Sequence, residues 1–287
     1  MSAIQKILFP VDFSASCDAM APFVKRAAAI LEAKVTLLYV LEPSTSGFEL
    51  LARPAPDIHE DRKESARARL DSYLTSAFPL HEVPRLVATG EAAAQIARIA
   101  REEALELIVM PTHAGVFRRM LLGSTVAKVL NDADSLVLTT LHAEAIAPRP
   151  LDHREMACAV GSGADSERVL RCATEVAEKL HANLSIIHAI PAMDRGLPIQ
   201  LDLEESVRSM ATQAALSRLD EMQRVLGSRA QVHVAAGPIK DAVTEAASKL
   251  QADILVVGRS AQPGERERLR DLTYALVRDA PCPVLSV

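Results

Sequence analysis

The chain has 287 residues, 49% of them apolar and 24% charged, enough for two domains that each bury a core. A net charge of −5 and the lack of Trp argue against a nucleic-acid surface, which needs clustered Lys and Arg and stacking rings. No run approaches the ~18 apolar residues of a membrane span, and the polar start Met1–Lys6 is too short for a signal peptide. Cys17, Cys158, Cys172 and Cys282 form no Cys-x-x-Cys pair, which predicts buried thiols in a reducing cytoplasm.

Short apolar runs alternate with helical patterns along the chain. Ile7–Val11 reads as a buried strand, Ala19–Leu31 as a helix with Val24, Ala27, Ala28 and Leu31 on one face, and Val35–Val40 as a second strand. Glu42–Pro56, with three prolines, is a loop, and Glu60–Phe78 is an amphipathic helix with a solvated Glu and Arg face. Strand Arg85–Ala88, helix Glu91–Glu103, strand Leu107–Met110, helix Ser124–Leu130 and strand Leu136–Thr140 complete the first half. The second half follows the same plan. It runs through strand Ala157–Val160, helix Ser166–Leu180, strand Leu184–Ile190, helix Leu203–Leu226 and strand Gln231–Ala235. Helix Lys240–Lys249, strand Ile254–Val257, helix Leu272–Arg278 and strand Val284–Val287 follow. Pro148 and Pro150 mark a linker, 142–155, between domains 1–141 and 156–287.

The two halves are copies. Val11–Leu41 shifted by 149 residues lies without a gap on Val160–Ile190, and Val87–Leu138 shifted by 147 lies on Val234–Leu285. Apolar and turn positions match, as in Gly90/Gly237 and Val109/Val256, whereas Asp12 faces Gly161 and Gly123-Ser124-Thr125 faces Arg270-Asp271-Leu272. The fold is kept and the polar detail is not.

Strands apolar on both faces and separated by helices predict an α/β architecture: two doubly wound, mostly parallel, Rossmann-like sheets in tandem. Such sheets take ligands beyond the carboxyl ends of their strands, where strand order reverses. Two stretches fall there. After the first strand comes Pro10-Val-Asp12-Phe-Ser14, where Asp12 either accepts hydrogen bonds from a ribose or holds a metal-bound water, or else joins its Ser neighbours in capping the first helix. After the fourth strand comes Met110-Pro-Thr-His-Ala-Gly115, and later Gly123-Ser124-Thr125 opens a helix. That opening offers either converging amides for phosphate oxygens or an ordinary hydroxyl N-cap. The eight histidines show no metal-ligand spacing, and Gly161-Ser162-Gly163 lacks the flanks of a nucleophile elbow.

These stretches, with Ala88-Thr-Gly90, Ile108–His113, Arg118–Ser124 and Asp279–Ser286, resemble the universal stress protein family in its tandem two-domain form. The resemblance implies adenine near Pro10 and Val40, ribose or Mg²⁺ at Asp12, and phosphates on the segment from Met110 through Gly115 to Gly123, Ser124 and Thr125. It further implies self-association through the last strand of each half, within one chain as a pseudo-dimer or between chains as a homodimer. Family members that bind ATP look like Gly-x-x-Gly, nine residues, then Gly-Ser/Thr. Here Pro111 and Ala114 replace the first two glycines and the loop is one residue short, while the second half has Gly258, Ala261 and no Gly-Ser-Thr run. The expectation is therefore a cytoplasmic stress-response module, not a fast enzyme, with weak ATP–Mg²⁺ binding in the N-terminal domain alone. A protein-interaction scaffold without nucleotide, or a slow ATPase, is the alternative.

Overall fold

The computed structural model describes residues 4–43, 56–112, 122–140, 155–163, 165–190, 201–259 and 266–287. It divides into two compact units, Met1–Leu151 and Asp152–Val287. The first contains β1 (Lys6–Pro10), α1 (Ala15–Leu31), β2 (Lys34–Leu41), α2 (Pro56–Ser72), β3 (Arg85–Thr89), α3 (Ala92–Glu102), β4 (Leu107–Pro111), α4 (Ser124–Asp132) and β5 (Leu136–Thr140). Its strands are parallel and ordered β3-β2-β1-β4-β5, so the order reverses between β1 and β4. Ile7 pairs with Val35 on one side and Leu107 on the other. Ile7, Leu8, Phe9, Leu37, Leu38 and Ile108 are wholly buried. Each such side chain contributes about 1.5–3 kcal/mol, which is why no polar residue stands at these positions.

The second unit repeats the plan with β6 (Glu155–Ala159), α5 (Ser166–Leu180), β7 (Asn183–Ile190), α6 (Leu201–Leu226), β8 (Gln231–Ala236), α7 (Ile239–Lys249), β9 (Ile254–Val257), α8 (Arg266–Asp279) and β10 (Val284–Ser286). Its order is β8-β7-β6-β9-β10, again parallel. Ala157, Cys158, Ile186, Ile187, Leu255 and Val256 form its central core.

The duplication is written into the backbone more faithfully than into the side chains. α1 ends at Glu32 (φ 52°) and α5 at His181 (φ 50°), each left-handed, with its amide turned back onto the last helical carbonyls. The two residues are 149 apart. Ala104 (φ 49°) and Gln251 (φ 51°), 147 apart, follow α3 and α7 in the same way. None is glycine, although a Cβ makes that conformation unfavourable by roughly 1–2 kcal/mol. The packing of the following strands holds it.

Several boundaries differ from the sequence reading, these four among them. α1 starts at Ala15 rather than Ala19, with Pro22 inside the helix. α2 spans Pro56–Ser72 rather than 60–78, stopped by the left-handed Leu74 (φ 52°). Glu155, read as the end of the linker, is the first residue of β6. α8 begins at Arg266, six residues before Leu272. The rest of the linker, 142–154, lies outside the described residues.

Candidate functional site

β1 ends in buried Pro10, and the chain then turns sharply. Phe13 takes a left-handed backbone (φ 61°) so that Ser14 can cap α1, its hydroxyl accepting the Cys17 amide at 3.4 Å. Asp12 is exposed. Its Oδ1 accepts the Ser14 amide at 3.0 Å and the Cys17 thiol at 3.2 Å. The capping reading of the turn therefore holds: Ser14 is the cap, and Asp12 braces it. Burial, and then the charge of Asp12, push the Cys17 thiol up from near 9 to about 12, so it remains a neutral donor to the carboxylate.

α2 roofs this turn. The Arg69 guanidinium lies 4.0 Å from the centre of the Phe13 ring, which also meets Tyr39 at 4.6 Å and Tyr73 at 4.9 Å. The Tyr73 hydroxyl donates to Asp18 Oδ1 at 2.5 Å, and burial followed by that bond raises its pKa. Arg85, 4% exposed, anchors the end of α2 from below by donating to the carbonyls of Leu70, Tyr73 and Phe78 at 2.6–2.8 Å. Leu70 lies in the last turn of α2, where its carbonyl also takes the Tyr73 amide at 3.1 Å, and Tyr73 and Phe78 lie beyond the helix end. Neither the aromatic stack nor the Arg85 anchor was legible in the sequence, where Arg85 read simply as the start of a strand.

On the other side of the reversal point, β4 carries buried Met110 and Pro111. Thr112 turns both its amide and its hydroxyl onto the Thr140 carbonyl, at 3.0 and 2.8 Å. Pro111 has no N–H, so the tip of β4 is committed to β5. Gly115 lies outside the described residues, as do His113 and Ala114. Val40 is half-buried near the end of β2, next to β1.

α4 starts as the sequence reading expected. Gly123 is its N-cap and supplies no side-chain cap. The Ala127 amide closes the first helical ring on the Gly123 carbonyl at 3.0 Å. The amides of Ser124, Thr125 and Val126 therefore have no acceptor within the helix, with Ser124 exposed and Thr125 half-buried. By contrast α1 is closed by Ser14, and the start of α3 is met by Glu91 on the Ala94 amide (2.7 Å) and Glu42 on the Ala92 amide (3.1 Å). Lys128 of α4 bonds Glu91 at 3.0 Å and ties the two helices. The Ala94 amide, then Lys128, hold the Glu91 carboxyl below its usual range. Because β1 and β4 are parallel neighbours, Asp12 and the start of α4 both belong to the carboxyl-end side of this sheet. A carboxylate and an open helix start on one edge could meet the hydroxyls and the phosphates of a nucleotide. Among the described residues, no three His, Cys, Asp or Glu side chains converge as a metal-binding group.

The second unit differs at each of these points. Gly161-Ser162-Gly163 replaces the Asp12 turn, with the Ser166 hydroxyl set against the carbonyls of Gly161 and Gly163 at 2.9 and 2.7 Å. Arg270, Asp271 and Leu272 lie beyond the first four residues of α8, where each amide bonds the carbonyl four residues back. The sequence reading placed them at the helix start, and that is corrected: the extra turn consumes the donors.

The chain matches the model of the universal stress protein family over residues 3–140 and again over 153–287. Universal stress protein A homolog 1 of Coxiella burnetii (strain RSA 493 / Nine Mile phase I) is 31% identical over 143 residues, covering 48% of this chain and 97% of that protein. Among solved structures, a universal stress protein from Archaeoglobus fulgidus DSM 4304 covers 99% of this chain and 96% of its own, with a TM-score of 0.68 and 18% identity. A protein of unknown function from Pseudomonas aeruginosa PAO1 covers 99% and 92%, with a TM-score of 0.65 and 20% identity. With the family's pattern present in both halves, the chain belongs to the universal stress protein family, in a form that carries its domain twice.

Proposed function

We propose that this stress-response protein senses nucleotide through its N-terminal unit, where ATP with Mg²⁺ binds weakly and alters how the protein meets its partners. The observation that carries this reading is the open start of α4: Gly123 caps it without a side chain, and the first-turn amides of Ser124, Thr125 and Val126 face no helical acceptor. Phosphate oxygens suit such a site, and the hydroxyls of Ser124 and Thr125 add two donors. Asp12 would meet the ribose or a water on Mg²⁺, Pro10, Val40 and Met110 would border the base, and Gly115 would lie along the phosphates. The N–H missing at Pro111 keeps the affinity low.

The β5 and β10 edges are the proposed self-association strands, as a pseudo-dimer within one chain or a homodimer between chains, because each is an apolar strand ending its own unit's order. No described helix is long and apolar enough to cross a membrane. All four cysteines are free and buried, which fits the reducing cytoplasm proposed as its location.

Calorimetric titration with ATP–Mg²⁺ tests the proposal. Native protein should bind with a dissociation constant in the high micromolar to millimolar range. Asp12→Ala, and separately Ser124→Ala with Thr125→Ala, should each weaken binding by roughly tenfold, the loss of about 1.4 kcal/mol. Absence of heat at millimolar ATP would instead favour a scaffold that works without nucleotide. That second reading draws on the commitment of Thr112 and Pro111 to β5.

A further inference from the structure

α6 is the longest of the described helices, and it outruns the strand it meets. Its 26 residues span roughly 39 Å, whereas the 8 residues of β7 span roughly 26 Å. Leu219 and Gln223 are its buried residues. Between Glu205 and Arg218 no residue is buried, and Glu205–Met210 are all exposed. A helical stretch of this length is marginal in water unless it buries a face.

The first unit shows a stretch that meets water alone. Residues 60–65 of α2, likewise without a buried position, read Glu-Asp-Arg-Lys-Glu-Ser. α6 is built differently. Among the described residues, six large apolar side chains are exposed, and four of them are on this one helix: Val207 (40%), Met210 (71%), Leu216 (42%) and Val225 (67%). Leu203, Val207, Met210 and Ala214 recur at four-three-four spacing, the repeat that forms an apolar seam along one side of a helix. Leu216 lies across the helix from that seam, and Val225 lies about four turns past Met210.

We propose that this seam is an interface for a second copy of the chain, the two α6 helices packing antiparallel about a two-fold axis at Met210. Charge and size select that arrangement. Met210 then meets Met210 of the second copy, Val207 falls level with the small Ala214, and the three acids Asp202, Glu204 and Glu205 fall level with Arg218. Parallel packing would set the acids of one start against those of the other. The exposed Arg218 spends one N–H on the Ser162 carbonyl, at 2.7 Å, and keeps four donors. A contact of this kind is self-complementary. One helix seam is small beside the roughly 1,200–2,000 Å² of a stable interface, so the pairing is weak and depends on concentration. It is separate from the β5 and β10 edges and needs no nucleotide.

The test is sedimentation equilibrium of the full chain at rising concentration, joined to disulfide trapping, for which the four native thiols are buried. At high concentration the native chain should reach twice the mass of Met210→Glu, which sets two like charges at the axis. Val225→Glu, outside the paired length, should behave as native. Mild oxidation should link Met210→Cys into dimers, and likewise Val207→Cys with Ala214→Cys, but not Val207→Cys alone. Arg218→Gln keeps a donor for the Ser162 carbonyl, removes the charge, and should weaken association several-fold. Should Met210→Glu fail to fold, trapping at Met210→Cys decides. A native mass equal to that of Met210→Glu at every concentration, as when another protein or another segment of this chain covers the seam, would overturn the proposal. So would the absence of trapping at Met210→Cys, or trapping through Val207→Cys alone, the mark of parallel packing.

Discussion

The two copies of the domain keep the same backbone and present different chemistry on the same sheet edge. In the first unit α4 begins at Ser124, directly after Gly123, and its first-turn amides are left over. In the second, α8 begins at Arg266, so the positions aligned with Gly123, Ser124 and Thr125 lie inside a helix that uses their amides. Five residues of added helix convert an end with spare amides into a closed one. The backbone donors offered at this edge are thus set by where a helix starts as much as by which side chains it carries. The lesson extends to the other side of the reversal point, where Asp12 braces a capped turn in one unit and two glycines leave open space in the other.

The largest expected break between the units comes from Arg85. Aligning Gly90 with Gly237 puts Val232 at its position, so the second unit holds α6 without such an anchor. Arg85→Val should destabilise the first unit by about 3–5 kcal/mol, because the carbonyls of Leu70, Tyr73 and Phe78, in and after the last turn of α2, lose their buried charged donor. Chemical denaturation should show the loss in the first unit's transition and little change in the second's. Coincident loss in both would mean that the units unfold as one.

Gly90 and Gly237 sharpen the comparison at one turn. Both hold nearly the same backbone, φ 141° and 143°, which a side chain strains. A Cβ at Gly90 would also meet Gln95 Nε2 at 2.8 Å, whereas one at Gly237 meets nothing within 4 Å. Gly237→Ala should cost about 1 kcal/mol and Gly90→Ala about 1–2 kcal/mol, the extra being modest because the Gln95 side chain can turn away. Equal losses would show that backbone strain alone decides.

A smaller effect follows from Cys17, whose counterpart is Ser166. The Cys17 thiol rises from near 9 to about 12 on folding, through burial first and the Asp12 charge second. Its contribution to stability is fully present below pH 9 and is lost as pH rises toward 12, because the unfolded chain ionises first. Cys17→Ser should flatten the alkaline decline of the first unit's stability. Cys172, pushed up to about 11 mainly by burial, leaves a similar decline in the second. A native profile unchanged by the substitution would contradict the assignment.

The sheet of each unit was legible because strands such as Ile7–Pro10 and Ile254–Val257 are apolar on both faces, a pattern no surface element shows. The start of α4 was legible because Gly-Ser-Thr both ends a loop and opens a helix. The start of α8 was not, since Arg266–Arg270 carries charge without an apolar stripe and reads as a solvated run. Nor was the role of Arg85, because a charged residue opening a strand is ordinarily solvated, and only the return of α2 over β3 buries it. The Phe13 stack escaped for a related reason. Its partners Tyr39, Arg69 and Tyr73 come from elements distant in sequence, and a left-handed phenylalanine has no sequence signal.

The contrast between the two helix starts is tested most directly by following backbone amide resonances of the full chain while ATP–Mg²⁺ is added. The account predicts saturable shifts at Ser124, Thr125 and Val126, accompanied by Asp12, with Arg270, Asp271 and Leu272 unmoved. Shifts of equal size and midpoint at both sets, or none at the start of α4, would contradict it.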